Sequence, residues 1–109
     1  MPTSDAMRRR TLPKTDLVVS SICYGAMGCG TRVVGAEVER ILDTFVDRGG
    51  NFFDTAHCYA FWVDGGFGAS ERSLGRYLED RGTRGEMVVA TKGAHPPVEG
   101  YRDRQDWMT

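Results

Sequence analysis

Asn51-Phe52-Phe53-Asp54-Thr55-Ala56 is the stretch that decides how the rest of the sequence is read. Gly49 and Gly50 stand directly before it, and its polar members gather at its C-terminal end. Six residues with paired aromatics, bounded by glycine, are too few for a helix and suit one short strand. Upstream, Val38, Ile41, Leu42, Phe45 and Val46 recur at the i, i+3, i+4, i+7, i+8 spacing of one helical face. Glu37, Glu39, Arg40, Asp43 and Asp47 fill the other face. Glu37 near the start and Arg48 near the end suit the helix dipole, and Gly49-Gly50 supplies the stop. The strand is therefore entered from an amphipathic helix.

Downstream the alternation repeats. A loop from His57 to Ala69 is rich in glycine and aromatics, among them Tyr59, Phe61, Trp62 and Phe67. Ser70 is the expected N-cap of a second helix, with Glu71 in its first turn, Leu74, Tyr77 and Leu78 facing inward, and Arg81-Gly82 closing it. Met87-Val88-Val89-Ala90-Thr91-Lys92-Gly93 then reads as an apolar strand ending in a lysine. Before the first helix, Gly25, Gly28 and Gly30 punctuate a loop, and about Ser21 to Gly25 reads as a first buried strand. Leu12, Leu17 and Val19 flank the turn material Pro13-Lys14-Thr15-Asp16, which predicts short strands or a small hairpin. Residues 1–10, with the Arg8-Arg9-Arg10 cluster, are expected to form a mobile, solvated arm.

The order β-α-β-α-β argues for an α/β protein: a parallel sheet with helices packed outside it. This pattern is compatible with a closed barrel and with an open sheet. In both, chemistry collects where strands end at their C-termini. Asp54 and Lys92 both sit there, on consecutive strands. Neighbouring strands lie about 4.8 Å apart, close enough for the two side chains to meet above the sheet.

Composition narrows the partners. The 109 residues are 40% hydrophobic and 27% charged, with a formal net charge of −1. That balance gives no electrostatic case for nucleic acid or an anionic membrane. No apolar stretch approaches membrane-spanning length, and Thr11-Leu12-Pro13-Lys14 follows the arginines where a secretory signal would place an apolar run. A cytoplasmic protein is the expectation. Cys23, Cys29 and Cys58 are odd in number and lack C-x-x-C spacing, so they are expected as free thiols. His57, Cys58 and His95 have no zinc-site spacing, and no metal is expected. Nothing in the pattern speaks to oligomeric state.

Four segments in order resemble the aldo-keto reductase superfamily. Asp54-Thr55-Ala56-His57-Cys58-Tyr59 is similar to the family segment in which a strand ends in Asp-Thr-Ala and a tyrosine follows five residues after the aspartate. Gly68-Ala69-Ser70-Glu71-Arg72-Ser73-Leu74-Gly75 resembles its helix opening, and Val89-Ala90-Thr91-Lys92-Gly93 its third strand and lysine. Arg10 to Ser20 and Tyr24-Gly25-Ala26-Met27-Gly28 look like its N-terminal hairpin and first barrel strand. The resemblance implies a (β/α)8 TIM barrel, a fold of ~250 residues. Residues 1–109 would then be a partial barrel domain: the N-terminal portion, about three βα units plus the hairpin, truncated at its C-terminus and inactive by itself.

The resemblance also implies an NAD(P)H-dependent oxidoreductase that reduces a small-molecule aldehyde or ketone, with NADPH expected and NADH as the alternative. Tyr59 would be the general acid. A free tyrosine has a pKa of about 10, and the Lys92 ammonium would ease its ionisation. Asp54 would hold Lys92 in place and keep it charged. Gly25, Ala26 and Met27, with Asp54, would touch the nicotinamide end of the cofactor, and Tyr24, Trp62 and Phe67 would join Met27 in lining the pocket. The family's catalytic histidine comes from the end of the fourth strand, so His95 is not given that place. Ala60 stands where glycine commonly follows the tyrosine. Two alternatives remain: a cofactor-binding regulatory subunit of the potassium-channel β type, and a barrel enzyme in which Lys92 forms a Schiff base.

Overall fold

The computed structural model describes residues 7–60, 63 and 65–93. An antiparallel hairpin of β1 (Arg9–Thr11) and β2 (Val18–Ser20) precedes a parallel sheet of β3 (Tyr24–Gly25), β4 (Phe52–Asp54) and β5 (Val88–Ala90), hydrogen-bonded in that order. Helix α1 (Ala36–Asp47) crosses from β3 to β4, and α2 (Ala69–Arg81) with a 3-10 turn at Arg84–Glu86 crosses from β4 to β5. The three parallel strands do not close into a barrel. Among the described residues no helix is long and apolar enough to cross a membrane.

Register determines which side chains meet the helices. Tyr24, Phe53 and Val89 stand opposite one another across the three strands. Because side chains alternate along a strand, they share one face. That face receives Phe45 of α1, whose ring lies 5.3 Å from Phe53 and 5.8 Å from Tyr24 between centroids. Val38, Leu42 and Phe45 from α1 and Leu74, Tyr77 and Leu78 from α2 complete the core around Phe53, Ala26 and Cys29. Each of these large apolar side chains contributes about 1.5–3 kcal/mol on burial. The other face carries Gly25, Asp54 and Ala90 in register, and it is the face left to chemistry.

Two contacts tie the remaining elements down. Asn51, fully inside, accepts from the Ser20 amide through Oδ1 at 2.6 Å and donates from Nδ2 to the Val18 carbonyl at 2.8 Å, pinning the hairpin to the sheet. Between the helices, Tyr77 donates to Asp43 Oδ1 at 2.6 Å while Arg81 grips both Asp43 oxygens at 3.0 and 2.8 Å. Hydrogen bonding from Arg81, then from Tyr77, holds the Asp43 carboxyl down at about 2.

Several elements differ from the sequence reading. Arg9 and Arg10, assigned to the mobile arm, belong to β1, because their backbones pair with Ser20 and Val19. The strand expected over Ser21 to Gly25 contracts to Tyr24–Gly25, and Ile22 is exposed. Helix α2 begins before Ser70: Gly68 is its N-cap, with φ 73° and ψ 0° in the left-handed region that glycine adopts without steric cost. Ser70 thereby lies inside the first turn, and its hydroxyl is free to bond outside the helix. Gly82 closes α2 in the left-handed conformation, where the sequence placed the stop.

Candidate active site

β4 and β5 end side by side, so the residues just past their last paired positions converge. Asp54 closes β4 opposite Ala90 of β5, and Lys92 follows two residues later. Backbone bonds keep the strands together beyond the sheet: Thr55 donates to the Ala90 carbonyl at 2.8 Å and His57 to the Lys92 carbonyl at 3.3 Å. The chain then turns, with a Tyr59 to Ala56 backbone bond at 3.4 Å, and brings the phenol back over the strand end.

Asp54 is the hub of what results. Its Oδ1 accepts from Lys92 Nζ at 2.7 Å and its Oδ2 from the Tyr59 hydroxyl at 3.0 Å. Lys92 makes a second bond, to the Thr55 carbonyl at 2.8 Å, and its ammonium stands 4.8 Å from the centroid of the Tyr59 ring. Hydrogen bonding from Lys92 holds the Asp54 carboxyl below its ordinary pKa; partial burial opposes this and the Tyr59 hydroxyl adds to it. Desolvation pulls Lys92 down, but the Asp54 carboxylate and Tyr59 outweigh it, and the net shift is upward. Lys92 is thus held as an ammonium. Both members of the ion pair remain accessible, with side-chain exposures of 49% and 41%. The arrangement presents a phenol proton at an open strand end, beside a fixed positive charge.

The residues named from sequence fall into three groups. Asp54, Tyr59 and Lys92 come together, with Lys92 lying over the Tyr59 ring and Asp54 taking the hydroxyl. Gly25 and Met27 lie at the same edge of the sheet: Gly25 pairs with Asp54 in register, a Cβ there would meet no atom within 4 Å, and Met27 is exposed. This open floor beside an aspartate, a phenol and an ammonium fits the nicotinamide end of a dinucleotide. Ala26 is different. It is completely buried, its amide donates to the Asp54 carbonyl at 2.8 Å and its carbonyl accepts from Ser70 at 2.6 Å, so it shapes the loop and offers no atom to a ligand.

Tyr24 is a correction. Expected in the pocket, it turns to the helix side and packs on Phe45, because its register partner Phe53 faces that way. Phe67 stacks near His57 at 5.9 Å, and His57 pairs with Glu71 at 3.5 Å. Trp62, Phe61 and His95 lie outside the described residues. Ala60 has φ 63°, a left-handed conformation that explains why glycine suits the position after the tyrosine. Two residues named from the sequence for other reasons turn out to be neighbours of the site. Cys23, at the approach to β3, lies within electrostatic reach of Asp54 and Lys92, and Glu71 accepts from Thr91 at 2.6 Å, next to Lys92. Neither carries a local sequence signal, since both contacts join distant segments.

A cavity of about 560 Å³ opens between the loop after β3 and the turn after Tyr59, lined by Met27, Thr31, Arg32, Ala60 and Val63 among others. A larger one, about 640 Å³, lies between α1 and α2 and touches none of Asp54, Tyr59 and Lys92. The smaller cavity is likewise lined by none of the three, but its lining includes Met27 and Ala60, the residue that follows Tyr59.

Known proteins resemble this chain in sequence and in shape. An aryl-alcohol dehydrogenase [NADP(+)] of Phanerodontia chrysosporium is 37% identical over 99 residues, which cover 84% of this chain and 24% of that protein. A norsolorinic acid reductase of Emericella nidulans is 40% identical over 87 residues, covering 73% of this chain and 21% of that one. The holo form of an aldo-keto reductase from Bacillus halodurans superposes with a TM-score of 0.67 at 30% identity, over 93% of this chain and 30% of the solved one. The chain thus spans between a fifth and a third of the length of these relatives. The sequence model of the Aldo/keto reductase family matches residues 21–108, and with β4, β5 and the Asp54 hub placed as described, the chain belongs to that family.

Proposed function

We propose that this chain carries the proton-donating corner of an NAD(P)H-dependent reductase that converts an aldehyde or ketone to an alcohol. The observation that carries the reading is the single carboxylate of Asp54 holding both the Tyr59 hydroxyl and the Lys92 ammonium. A bound nicotinamide cofactor would supply hydride to the carbonyl carbon; Gly25, Met27 and Asp54 would stand beside it, on a loop shaped by Ala26. As the carbonyl oxygen gains negative charge, the Tyr59 hydroxyl turns from Asp54 to that oxygen and gives up its proton. The phenolate left behind is stabilised by the adjacent Lys92 ammonium. Asp54 keeps Lys92 in position and charged throughout.

NADPH is the proposed cofactor, with NADH second; the NADP(+) in one relative's name supports that order. The aryl alcohol in one relative's name supports an aromatic carbonyl as substrate, and the cavity lined by Met27, Ala60 and Val63 is the proposed place for it. A cytoplasmic setting, in which Cys23, Cys29 and Cys58 stay free thiols, belongs to the same proposal. The Schiff-base alternative needs a neutral amine, and Lys92 is held as an ammonium by Asp54 and the Thr55 carbonyl. The regulatory alternative would hold cofactor without turnover. Incubating the whole protein with NADPH and a panel of aromatic aldehydes separates these readings. Carbonyl-dependent oxidation of NADPH is expected, and NADPH binding with no oxidation by any member of the panel would leave only the regulatory reading.

A further inference from the structure

Two side chains with no assigned part in the chemistry, Thr55 and Ser70, form a hydrogen-bonded chain with the Ala26 carbonyl behind the site. Ser70 is 1% exposed and Thr55 also 1%, so neither hydroxyl can turn to water. Ser70 Oγ bonds the Ala26 carbonyl at 2.6 Å, and Thr55 Oγ1 lies 2.6 Å from the same Oγ. A serine hydroxyl has one hydrogen. Since the Ala26 carbonyl can only accept, Ser70 donates to it, and Thr55 must donate to Ser70. The direction of the chain is therefore set: Thr55 to Ser70 to Ala26.

The two ends of that chain are the two halves of the site. The Thr55 carbonyl is the second acceptor for the Lys92 ammonium at 2.8 Å. The Ala26 amide donates at 2.8 Å to the carbonyl of Asp54, the residue whose carboxylate holds Lys92 and Tyr59. Ala26 itself is the buried root from which Gly25 and Met27 reach the open floor. Helix α2 thus inserts one hydroxyl between the ends of β3 and β4 and fixes both. A serine inside a helix commonly bonds back to its own preceding turn. Here Ser70 sits in the first turn, where no such turn precedes it, and the hydroxyl is directed into the sheet.

We infer that Ser70 is a positioning residue, which sets the distance between the loop at Gly25–Met27 and the Asp54–Lys92 pair, and that Thr55 is its relay partner. The inference rests on the proposed function for its kinetic consequence but not for its structural one. Replacing Ser70 with Ala leaves the Thr55 hydroxyl buried without its partner and the Ala26 carbonyl with the Cys29 amide alone, at 3.0 Å, so the tie from α2 to the loop after β3 is lost and that loop loosens.

The test uses the full chain and three variants, Ser70→Ala, Ser70→Thr and Thr55→Val. Residue-resolved amide exchange in the cofactor-free protein should show the Ala26 amide exchanging about tenfold faster or more in Ser70→Ala, while Leu42 in the core keeps its rate. NADPH affinity should fall about tenfold in Ser70→Ala, recover in Ser70→Thr, and change little in Thr55→Val, where kcat falls instead. Thr55→Val matches the original side chain in shape, so it still reports if Ser70→Ala does not fold. Unchanged exchange at Ala26, or equal acceleration at Ala26 and Leu42, overturns the inference. If no carbonyl is reduced by the original protein, the proposed function fails, and Ala26 exchange alone still decides the role of Ser70.

Discussion

Tyr59→Phe removes one oxygen and leaves almost everything else. The ring stays, and with it the 4.8 Å contact with the Lys92 ammonium. The bond that disappears is the one from the hydroxyl to Asp54 Oδ2 at 3.0 Å. Asp54 keeps its stronger partner, Lys92 at 2.7 Å, and is accessible enough for water to replace the phenol. A hydrogen bond of this kind contributes about 0.5–1.5 kcal/mol net, and partial exposure places this one near the lower end. Against a domain stability of about 5–15 kcal/mol, that loss leaves the folded fraction essentially complete. The catalytic loss is of another size. Positioned general acids contribute roughly 10²–10⁴-fold, which at about 1.4 kcal/mol per decade is about 3–6 kcal/mol of transition-state stabilisation. A rate falling by two or more decades in a protein that still melts within a few degrees of the original therefore isolates the proton donor. The assay is the carbonyl-dependent loss of NADPH absorbance by the whole protein, with cofactor affinity measured alongside by fluorescence and expected to be unchanged. A rate loss below tenfold, or a loss fully explained by weaker cofactor binding, would refute the assignment of Tyr59 as the acid.

Three further outcomes test the scaffold. Asp43 has a folded pKa of about 2 against an ordinary 3.8, so its contribution to stability is present above pH 3.8 and is lost as the pH falls towards 2; Asp43→Asn should flatten that part of an acid-denaturation curve, and an unchanged curve would remove the α1–α2 clamp from the account. Leu42, with no exposed surface at the centre of the core, should cost about 2–5 kcal/mol when cut to Ala, read as a lower urea midpoint. Ala60→Gly relieves a left-handed alanine worth about 1–2 kcal/mol of strain while loosening the unfolded chain by up to about 1 kcal/mol, so the melting temperature should hold or rise slightly; a clear drop would show that the buried Ala60 methyl packs more tightly than its φ of 63° suggests.

Much of this was legible in the order of residues. Val38, Leu42 and Phe45 announced α1, and Leu74, Tyr77 and Leu78 announced α2, because a helix repeats its buried face over several turns and the pattern is sampled many times. Asp54 and Lys92 could be placed at neighbouring strand ends because alternating helices and strands force a parallel sheet. The facing of Tyr24 and Phe53 was another matter. Strands of two or three residues sample a period of two only once, so nothing in Tyr24-Gly25 says which side meets the helices until Phe45 is packed against it. Ser70 shows the same limit at a helix end. Its residue type suits a cap, and only the left-handed turn at Gly68 moves the helix start upstream and frees the hydroxyl for Ala26 and Thr55. The sequence alone determined which elements form and which three residues gather at the sheet's edge. Tertiary structure decided that Lys92 bonds Asp54 and that Ser70 bonds Thr55 and Ala26, because those bonds join segments 15 to 44 residues apart and depend on distances that no local pattern encodes.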